Sequence, residues 1–278
     1  MTFREEPAPA PLAQRVTASI VSHGHGEYVR RLLVDLDAAG HAIERIVLTR
    51  NIPEPGLLEG LALRTPLTVI DNPAPLGFGA NHNAAFGHCA SPWFLVLNPD
   101  VRMDPGVLPG MLARAPAQAG VVAPRVVEPG RPRPEPRRGL LTPFEIIGRR
   151  LRRDYDAPRA EWVAGMFMLF RAPAFEAVGG FDEKFFMYVE DADICARLSL
   201  MGWEVAVDES ARILHDAQRD SHRHWRPLAW HWQSLLRWWF SPVFWRKALR
   251  KRRPGSPRQA PSPPAGTDAA ASGRKRAS

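Results

Sequence analysis

Several familiar classes are excluded by what this chain lacks. Its 278 residues hold no run of about 18 consecutive apolar residues, the length a membrane-spanning helix needs. The opening MTFREEPAPAPLAQ has no apolar core, which argues against a signal peptide and predicts disorder over residues 1–14. Only two cysteines occur, Cys89 and Cys195, in no metal-binding or redox spacing, so a reduced, cytoplasmic compartment is expected. Acids are scarce at one end. Residues 241–278 hold one of the 29 acids, Asp268, and ten of the 37 lysines and arginines. The net charge of +8 is therefore a property of that tail, and the body is near neutral. This argues against a basic nucleic-acid-binding domain and favours a local contact with an anionic surface. There is no internal repeat. A complete G-x-G-x-x-G is missing too: GFGANHN (77–83) has His82 at the third position and follows the third strand, which rejects a Rossmann NAD site.

What is present alternates between strand and helix patterns. VTASIVS (16–22), IERIVLT (43–49), PLTVID (66–71), WFLVLN (93–98) and GVVAPRVV (120–127) read as strands. EYVRRLLVDLDAAG up to Gly40, the segment after GFG (77–89) and residues 104–115 read as helices between them. That order predicts an α/β fold with a mostly parallel central sheet flanked by helices. EPGRPRPEPRRG (128–139) must be a loop. WVAGMFMLF (162–170) reads as a strand, APAFEAVGGFD (172–182) as a short helix, and WEVAVD (203–208) and ARILH (211–215) as two short strands.

The expected organisation is a disordered start (1–14), a catalytic domain (15–222), an amphipathic Trp/Arg-rich helical segment (223–253) and a disordered basic tail (254–278). In the third unit Trp225, Leu228, Trp232, Leu235, Leu236 and Trp239 recur at helical spacing. Two readings of that stripe stand open. It anchors the chain peripherally to an anionic membrane face, with Arg246, Lys247, Arg250 and Lys251 following. Otherwise it packs on the domain as core. Both hold if Trp225, Trp232 and Trp239 point inward and Trp230, Trp238 and Trp245 outward.

Candidate chemistry falls at the carboxyl ends of the strands, where open α/β sheets bind ligands. Ser22 ends the first strand, Asn51 the second, and Asn98-Pro99-Asp100 the fourth. Proline removes a backbone donor at 99, and Asp100 there suits a hard divalent cation shared with phosphate, or else belongs to an ordinary turn. Gly77 permits close backbone approach, and Asn81 and Asn83 supply amide groups. In FFMYVEDADICARL (185–198) three carboxylates follow an aromatic run. Glu190 and Asp193 suit a first helical turn, and Asp193 pairs with Arg197 at i,i+4. Asp191 against aromatic walls would be desolvated and could act as a general base. Capping and catalysis both remain open on spacing alone. His215 ends the strand ARILH, at the same kind of edge as Asp100.

In this order SIVSHG, NPAPLGFGANHNAAF, VLNPDV, WVAGMFMLFR, GGFDEKFFMYVEDADICARLSLMGW and ILHD resemble the inverting glycosyltransferases of family 2, nearest the rhamnosyltransferase-like branch. The resemblance covers roughly residues 16–221. It implies a GT-A fold, a nucleotide-sugar donor, a glycan or lipid-linked acceptor and Mg²⁺ or Mn²⁺. It implies that Asp100 binds the metal, that His215 completes its shell, and that Asp191 is the catalytic base. Glu190 then belongs to the catalytic pair beside it, and Gly165 and Asp193 lie on the acceptor side. The donor side falls to Ser22, Asn51, Gly77, Asn81, Asn83, Asn98 and Asp100, and the transferred sugar of the branch is rhamnose. The chain departs from the family's acidic turn after the second strand, having Arg50-Asn51, and has Asn98 in place of a first acid. Those departures keep open a non-catalytic GT-A-like binding or scaffold protein.

Overall fold

The computed structural model describes residues 11–131, 133–152, 155–216 and 225–251. The expectations for residues 1–10 and for the 254–278 tail lie outside that range. Residues 12–14, expected to be disordered, instead form a 3-10 turn, and Trp93 Nε1 donates to the Ala13 carbonyl at 3.1 Å.

The first half follows the strand–helix alternation. It runs β1 (Val16–Ser22), α1 (Glu27–Ala38), β2 (Ile43–Arg50), β3 (Leu67–Asp71), α2 (Phe78–Phe86) and β4 (Trp93–Leu97). It continues with β5 (Val101–Arg102), α3 (Val107–Arg114) and β6 (Ala119–Val127). Then come α4 (Pro143–Leu151), β7 (Phe167–Arg171), α5 (Ala172–Ala177), α6 (Glu190–Leu200), β8 (Glu204–His215), α7 (Trp225–Trp239) and α8 (Pro242–Lys251).

One sheet runs in the order β3-β2-β1-β4-β7-β6-β8-β5. The first four strands are parallel, and β6 with β8 is parallel, while β7 runs against both β4 and β6. β4 is a continuous apolar run and β1, though it carries Thr17 and Ser19, is buried along nearly all its length, because both faces of the sheet are covered. Alternate side chains divide between the two cores. Trp93, Leu95 and Leu97 join the layer under α1 and α3, and Phe94 and Val96 join the layer that holds Phe170, Phe175, Phe181 and Ile194.

Four local differences from the sequence reading matter for the site. WVAGMFMLF is strand only from Phe167, since Asn98 N–H already closes the ladder on the Met166 carbonyl at 3.0 Å. Trp162–Gly165 therefore leaves the sheet as a turn. The two short strands near 203–215 are one strand with a bulge, where Pro124 pairs Asp208 and Arg125 pairs Arg212. α4 was not expected from periodicity, yet Thr142-Pro143-Phe144-Glu145 is a capping-box pattern, and Thr142 Oγ1 accepts from Glu145 N–H at 3.0 Å. Finally, the C-terminal stripe is two helices. Ser241 Oγ caps α8 by accepting from Phe244 N–H at 3.1 Å, with Pro242 opening the new helix.

The orientation of that stripe also corrects the expectation. Trp238 is wholly buried and donates to the Leu141 carbonyl at 2.9 Å, while Trp232 is 55% exposed. The rotation follows from the partner: Leu141 and Leu235, with Trp238 and Phe244, form part of the same core as Trp162 and Phe170. Trp245 does point outward, and nothing is described of the Trp225 side chain. Lys247, counted among the surface-binding charges, is buried in an ion pair with Glu161 at 2.9 Å. Among the described residues no helix is long and apolar enough to cross a membrane.

Candidate active site

A cleft of about 1220 Å³ opens over the carboxyl ends of β1, β2 and β4 and the end of β8. His23, His25, Asn51, Asn98 and Asp100 line one end, and Gly165, Tyr188, Glu190 and Asp191 line its floor. Arg149, Arg150, Trp230 and His231 line the rest.

Asp100 and His215 are brought together by a two-residue strand. β5 pairs Val101 with His215, and Asp216 N–H donates to the Asp100 carbonyl at 3.0 Å. His215 Nε2 then lies 3.2 Å from Asp100 Oδ2. Burial alone would lower the His215 pKa, but the hydrogen bond and charge of Asp100, with Glu135 and Glu128 nearby, raise it above its ordinary value. Asp100 Oδ1 and His215 Nδ1 are both buried without a hydrogen-bond partner. An orphaned carboxylate oxygen at a polar cleft is costly unless a ligand completes it. Among the described residues no group of three or more His, Cys, Asp or Glu forms a self-sufficient metal cage. Two protein ligands nevertheless suit Mg²⁺ or Mn²⁺, which commonly take one or two side chains and fill the shell with phosphate oxygens and water. The pair fits such an ion.

The acid pair is presented by strained backbone. Tyr188 and Val189 have φ of 71° and 73°, the left-handed region that a β-branched residue rarely enters. Such strain persists only where the surroundings over-determine it. Here Phe185 and Val189 are buried, and Ser234 Oγ of α7 donates to the Met187 carbonyl at 2.9 Å. The left-handed turn starts α6 directly at Glu190, so both acids stand at the helix N-terminus. Asp191 Oδ2 accepts from Gly165 N–H at 3.1 Å and its Oδ1 from Ala192 N–H at 2.7 Å. Burial raises the Asp191 pKa, opposed by the charge of Arg138 and by those two amides. Glu190 is buried with Oε2 unpartnered, and burial together with the Asp191 charge pushes its pKa well up.

Arg138 was not singled out as a partner of Asp191 by the sequence. Its guanidinium lies over the Trp162 ring at 4.6 Å and pairs with Glu135. Only the folded path of loop 128–139 puts it there, where it forms an antiparallel bridge with Trp162.

The other expected positions divide. Asn51 and Asn81 line the cleft, but their amides hold the fold. Asn51 Oδ1 accepts from Leu76 N–H at 2.8 Å and from Asn72 at 2.8 Å, and Asn81 Nδ2 donates to the Leu76 carbonyl at 3.2 Å. They shape the cleft wall at Leu76. Asn98 and Gly165 line the cleft as expected. Ser22, Gly77, Asn83 and Asp193 do not. Ser22 Oγ accepts from His25 N–H at 3.4 Å and so holds the loop after β1. A Cβ on Gly77 would come within 2.6 Å of the Phe186 carbonyl oxygen, so its close approach is to the chain itself rather than to a ligand. Asn83 grips Phe181 through both backbone groups, at 2.8 and 2.9 Å. Asp193 is buried against Arg197 at 2.7 Å, and Arg197 also donates to the Val178 and Gly180 carbonyls. This is the helix pairing and not an acceptor contact. Arg50 is held by Asp71 at 2.7 Å and lies outside the cleft.

A mostly parallel sheet with an acid at a strand end, a second acid at a helix start and one cleft between them is the arrangement of a GT-A fold. Solved structures agree on the fold. A mannosyltransferase from Pyrobaculum calidifontis in complex with GDP-Man and Mn²⁺ matches with a TM-score of 0.55 at 14% identity, over 91% of this chain and 80% of that one. S. aureus TarS 1–349 in complex with UDP-GlcNAc matches with a TM-score of 0.57 at 14% identity, over 75% and 60%. The glycosyl transferase family 2 model matches residues 53–179. The N-acetylglucosaminyl-diphospho-decaprenol L-rhamnosyltransferase of Mycobacterium tuberculosis is 28% identical over 234 residues, 73% of this chain and 76% of the relative. The rhamnosyltransferase WbbL of Escherichia coli K12 is 28% identical over 225 residues, 73% and 83%. The chain is similar to the family-2 glycosyltransferases and, among them, to rhamnosyltransferases.

Proposed function

We propose that the protein transfers a sugar, rhamnose by analogy with its relatives, from a nucleotide-diphosphate donor to a lipid-linked glycan acceptor in cell-surface polysaccharide synthesis. The observation that carries this is the opening of Asp191 and of the Asp100–His215 pair into one cleft. Asp191 is held from behind by two amides, which leaves lone pairs for an acceptor hydroxyl. It takes the hydroxyl proton as that oxygen attacks the anomeric carbon. The bond from that carbon to the donor diphosphate breaks on the opposite face, and configuration inverts in one displacement. Asp100 and His215 would hold Mg²⁺ or Mn²⁺, which when bound neutralises charge on the departing diphosphate. The His23, His25 and Asn51 end of the cleft then receives the nucleotide. Burial lowers the His25 pKa in spite of Asp100 and Glu54, so His25 stays neutral beside the metal position.

An acceptor embedded in a bilayer calls for an enzyme held at the anionic inner face of the cytoplasmic membrane. Exposed Trp232 on α7, Phe240 in the turn after it and Trp245 on α8 support peripheral contact of that kind. Substituting Phe240 and Trp245 by Ser should lower sedimentation with anionic vesicles. Unchanged sedimentation would remove the support those side chains give.

The deciding experiment is a nucleotide-sugar screen with Mg²⁺ or Mn²⁺ present, followed by NMR of the product's anomeric configuration. Asp100→Ala should abolish metal-dependent donor affinity and His215→Ala should weaken it. Donor affinity indifferent to EDTA and to both substitutions would remove the metal reading. Absence of donor binding and hydrolysis across the screen would favour a non-catalytic GT-A-like scaffold.

A further inference from the structure

Loop 128–139 carries Arg131, Arg133, Arg137 and Arg138, a set of charges that would suit an anionic acceptor. The structure commits most of those charges elsewhere. Arg131 pairs with Glu128, Arg137 with Asp156 and Arg138 with Glu135. Uncommitted arginines line the cleft from α4 instead. Arg149, Arg150 and Arg152 all line it, and among the described residues neither the Arg149 nor the Arg150 side chain makes a hydrogen bond or ion pair. Arg149 is half-buried, and burial together with Arg138 pushes its pKa below the ordinary value. A half-buried guanidinium beside a second one is unfavourable without an anion to share.

The outer face of the same helix is apolar and uncovered. Phe144 is 85% exposed, Ile147 54% and Leu151 78%, at spacings of three and four that place them on one ridge. The one acid of α4, Glu145, is turned back onto Gly139 N–H and the Tyr155 hydroxyl. α7 reinforces the position. Trp238 and Trp239 both donate to Leu141 just before α4, while His231 senses the Arg150 charge near its end and stacks edge-on with Tyr188 at 5.1 Å. Arginines at a cleft edge with an apolar ridge outside them match a ligand that has a diphosphate at one end and a long hydrocarbon at the other.

We propose that α4 is the acceptor's entry element: Arg149 and Arg150 bind the diphosphate of a prenyl-diphosphate-linked sugar, and Phe144, Ile147 and Leu151 contact its hydrocarbon chain. The sugar then points inward toward Asp191, past the ring of Tyr188. This rests on the transferase reading above and adds which residues receive the acceptor.

Farnesyl diphosphate is the probe, titrated into the full chain by calorimetry in EDTA, so that metal-held diphosphate does not contribute. Wild-type protein should bind it more tightly than inorganic pyrophosphate and more tightly than farnesol. The Arg149→Ala/Arg150→Ala double variant should lose at least tenfold in affinity with an unchanged thermal melt, and Arg149→Lys/Arg150→Lys should recover most of it. Phe144→Ser/Ile147→Ser/Leu151→Ser should erase the preference over pyrophosphate and leave pyrophosphate binding alone. No binding by wild type, or equal binding by the alanine variant, overturns the subsite. So does unchanged farnesyl diphosphate binding in variants that lose binding to phosphatidylglycerol vesicles, which would make α4 a bilayer contact only. A nucleotide-sugar titration of the same wild-type sample with Mg²⁺ reads donor binding separately. Its failure would count against the transferase reading and not against the farnesyl diphosphate result.

Discussion

The backbone N–H of Gly165 donates to Asp191 Oδ2 at 3.1 Å, across 26 residues of chain. The contact exists because the segment after Trp162 leaves the sheet before β7 begins. It fixes the carboxylate from one side and leaves the other side to the cleft. Replacing Asp191 by Asn keeps volume and shape but removes the proton acceptor. Transfer should fall by about 10²–10⁴, the range for loss of a general base, with donor affinity and melting temperature nearly unchanged. Single-turnover transfer set beside a donor titration measures both. Transfer close to the parent's would end the assignment of the base.

Arg138 should set the pH range of the proposed base. Its charge opposes the rise that burial imposes on Asp191. Without it the carboxylate should hold its proton to higher pH. The base is active when ionised, so the acidic limb of the kcat/KM profile for Arg138→Gln should move toward neutrality. A limb that stays in place, or moves to lower pH, contradicts the electrostatic role.

Glu190 should reduce stability at neutral pH. Its folded pKa lies well above the ordinary value, chiefly through burial and then through Asp191. The folded state therefore binds the proton more tightly than the unfolded chain does. Stability is fullest below the unfolded value, about 4.3, and declines as pH rises through the raised folded value. Glu190→Gln should remove that decline, so its melting temperature should gain on the parent's as pH rises above the unfolded value and through the raised folded one. Parallel melting curves across that range would show that Glu190 is not strained in this way.

Trp238 and Trp232 make a paired test of how the C-terminal stripe sits. Trp238→Ala removes a wholly buried indole and leaves the Leu141 carbonyl with only the Trp239 bond. It should cost about 3–5 kcal/mol. Trp232→Ala, at an exposed position, should stay within about 0.5 kcal/mol. Urea unfolding of both variants decides it. Similar losses would mean that α7 is turned differently about its axis.

How far the site could be read in advance depended on whether a residue's role is local. Asp100 stands out because proline at 99 ends a strand, and Asp191 because acids follow an aromatic run. Both signals lie within a few neighbours in the chain. Asn83, Gly77 and Asp193 carry equally suggestive chemistry, yet their partners are Phe181, Phe186 and Arg197. Only the Asp193–Arg197 pair was visible as a spacing. An amide side chain looks the same in sequence whether it holds a ligand or a backbone. α4 had a local signal, the capping box at Thr142, but its short apolar ridge faces outward and gives no burial pattern.

The sequence alone determined the strand–helix alternation of the first half, since strand and helix periods are written in the side chains that meet the core. It also determined the acidic helix start and the near neutrality of the body. Tertiary structure decided which strands are neighbours and which way β7 runs. It decided that Arg138 faces Asp191, that Asp100 meets His215, and that Trp238 rather than Trp232 is core. The two side-chain relations join residues 53 and 115 positions apart, and the last fixes the rotation of a helix about its axis. Packing across the sheet sets them, and no window of neighbouring residues records it.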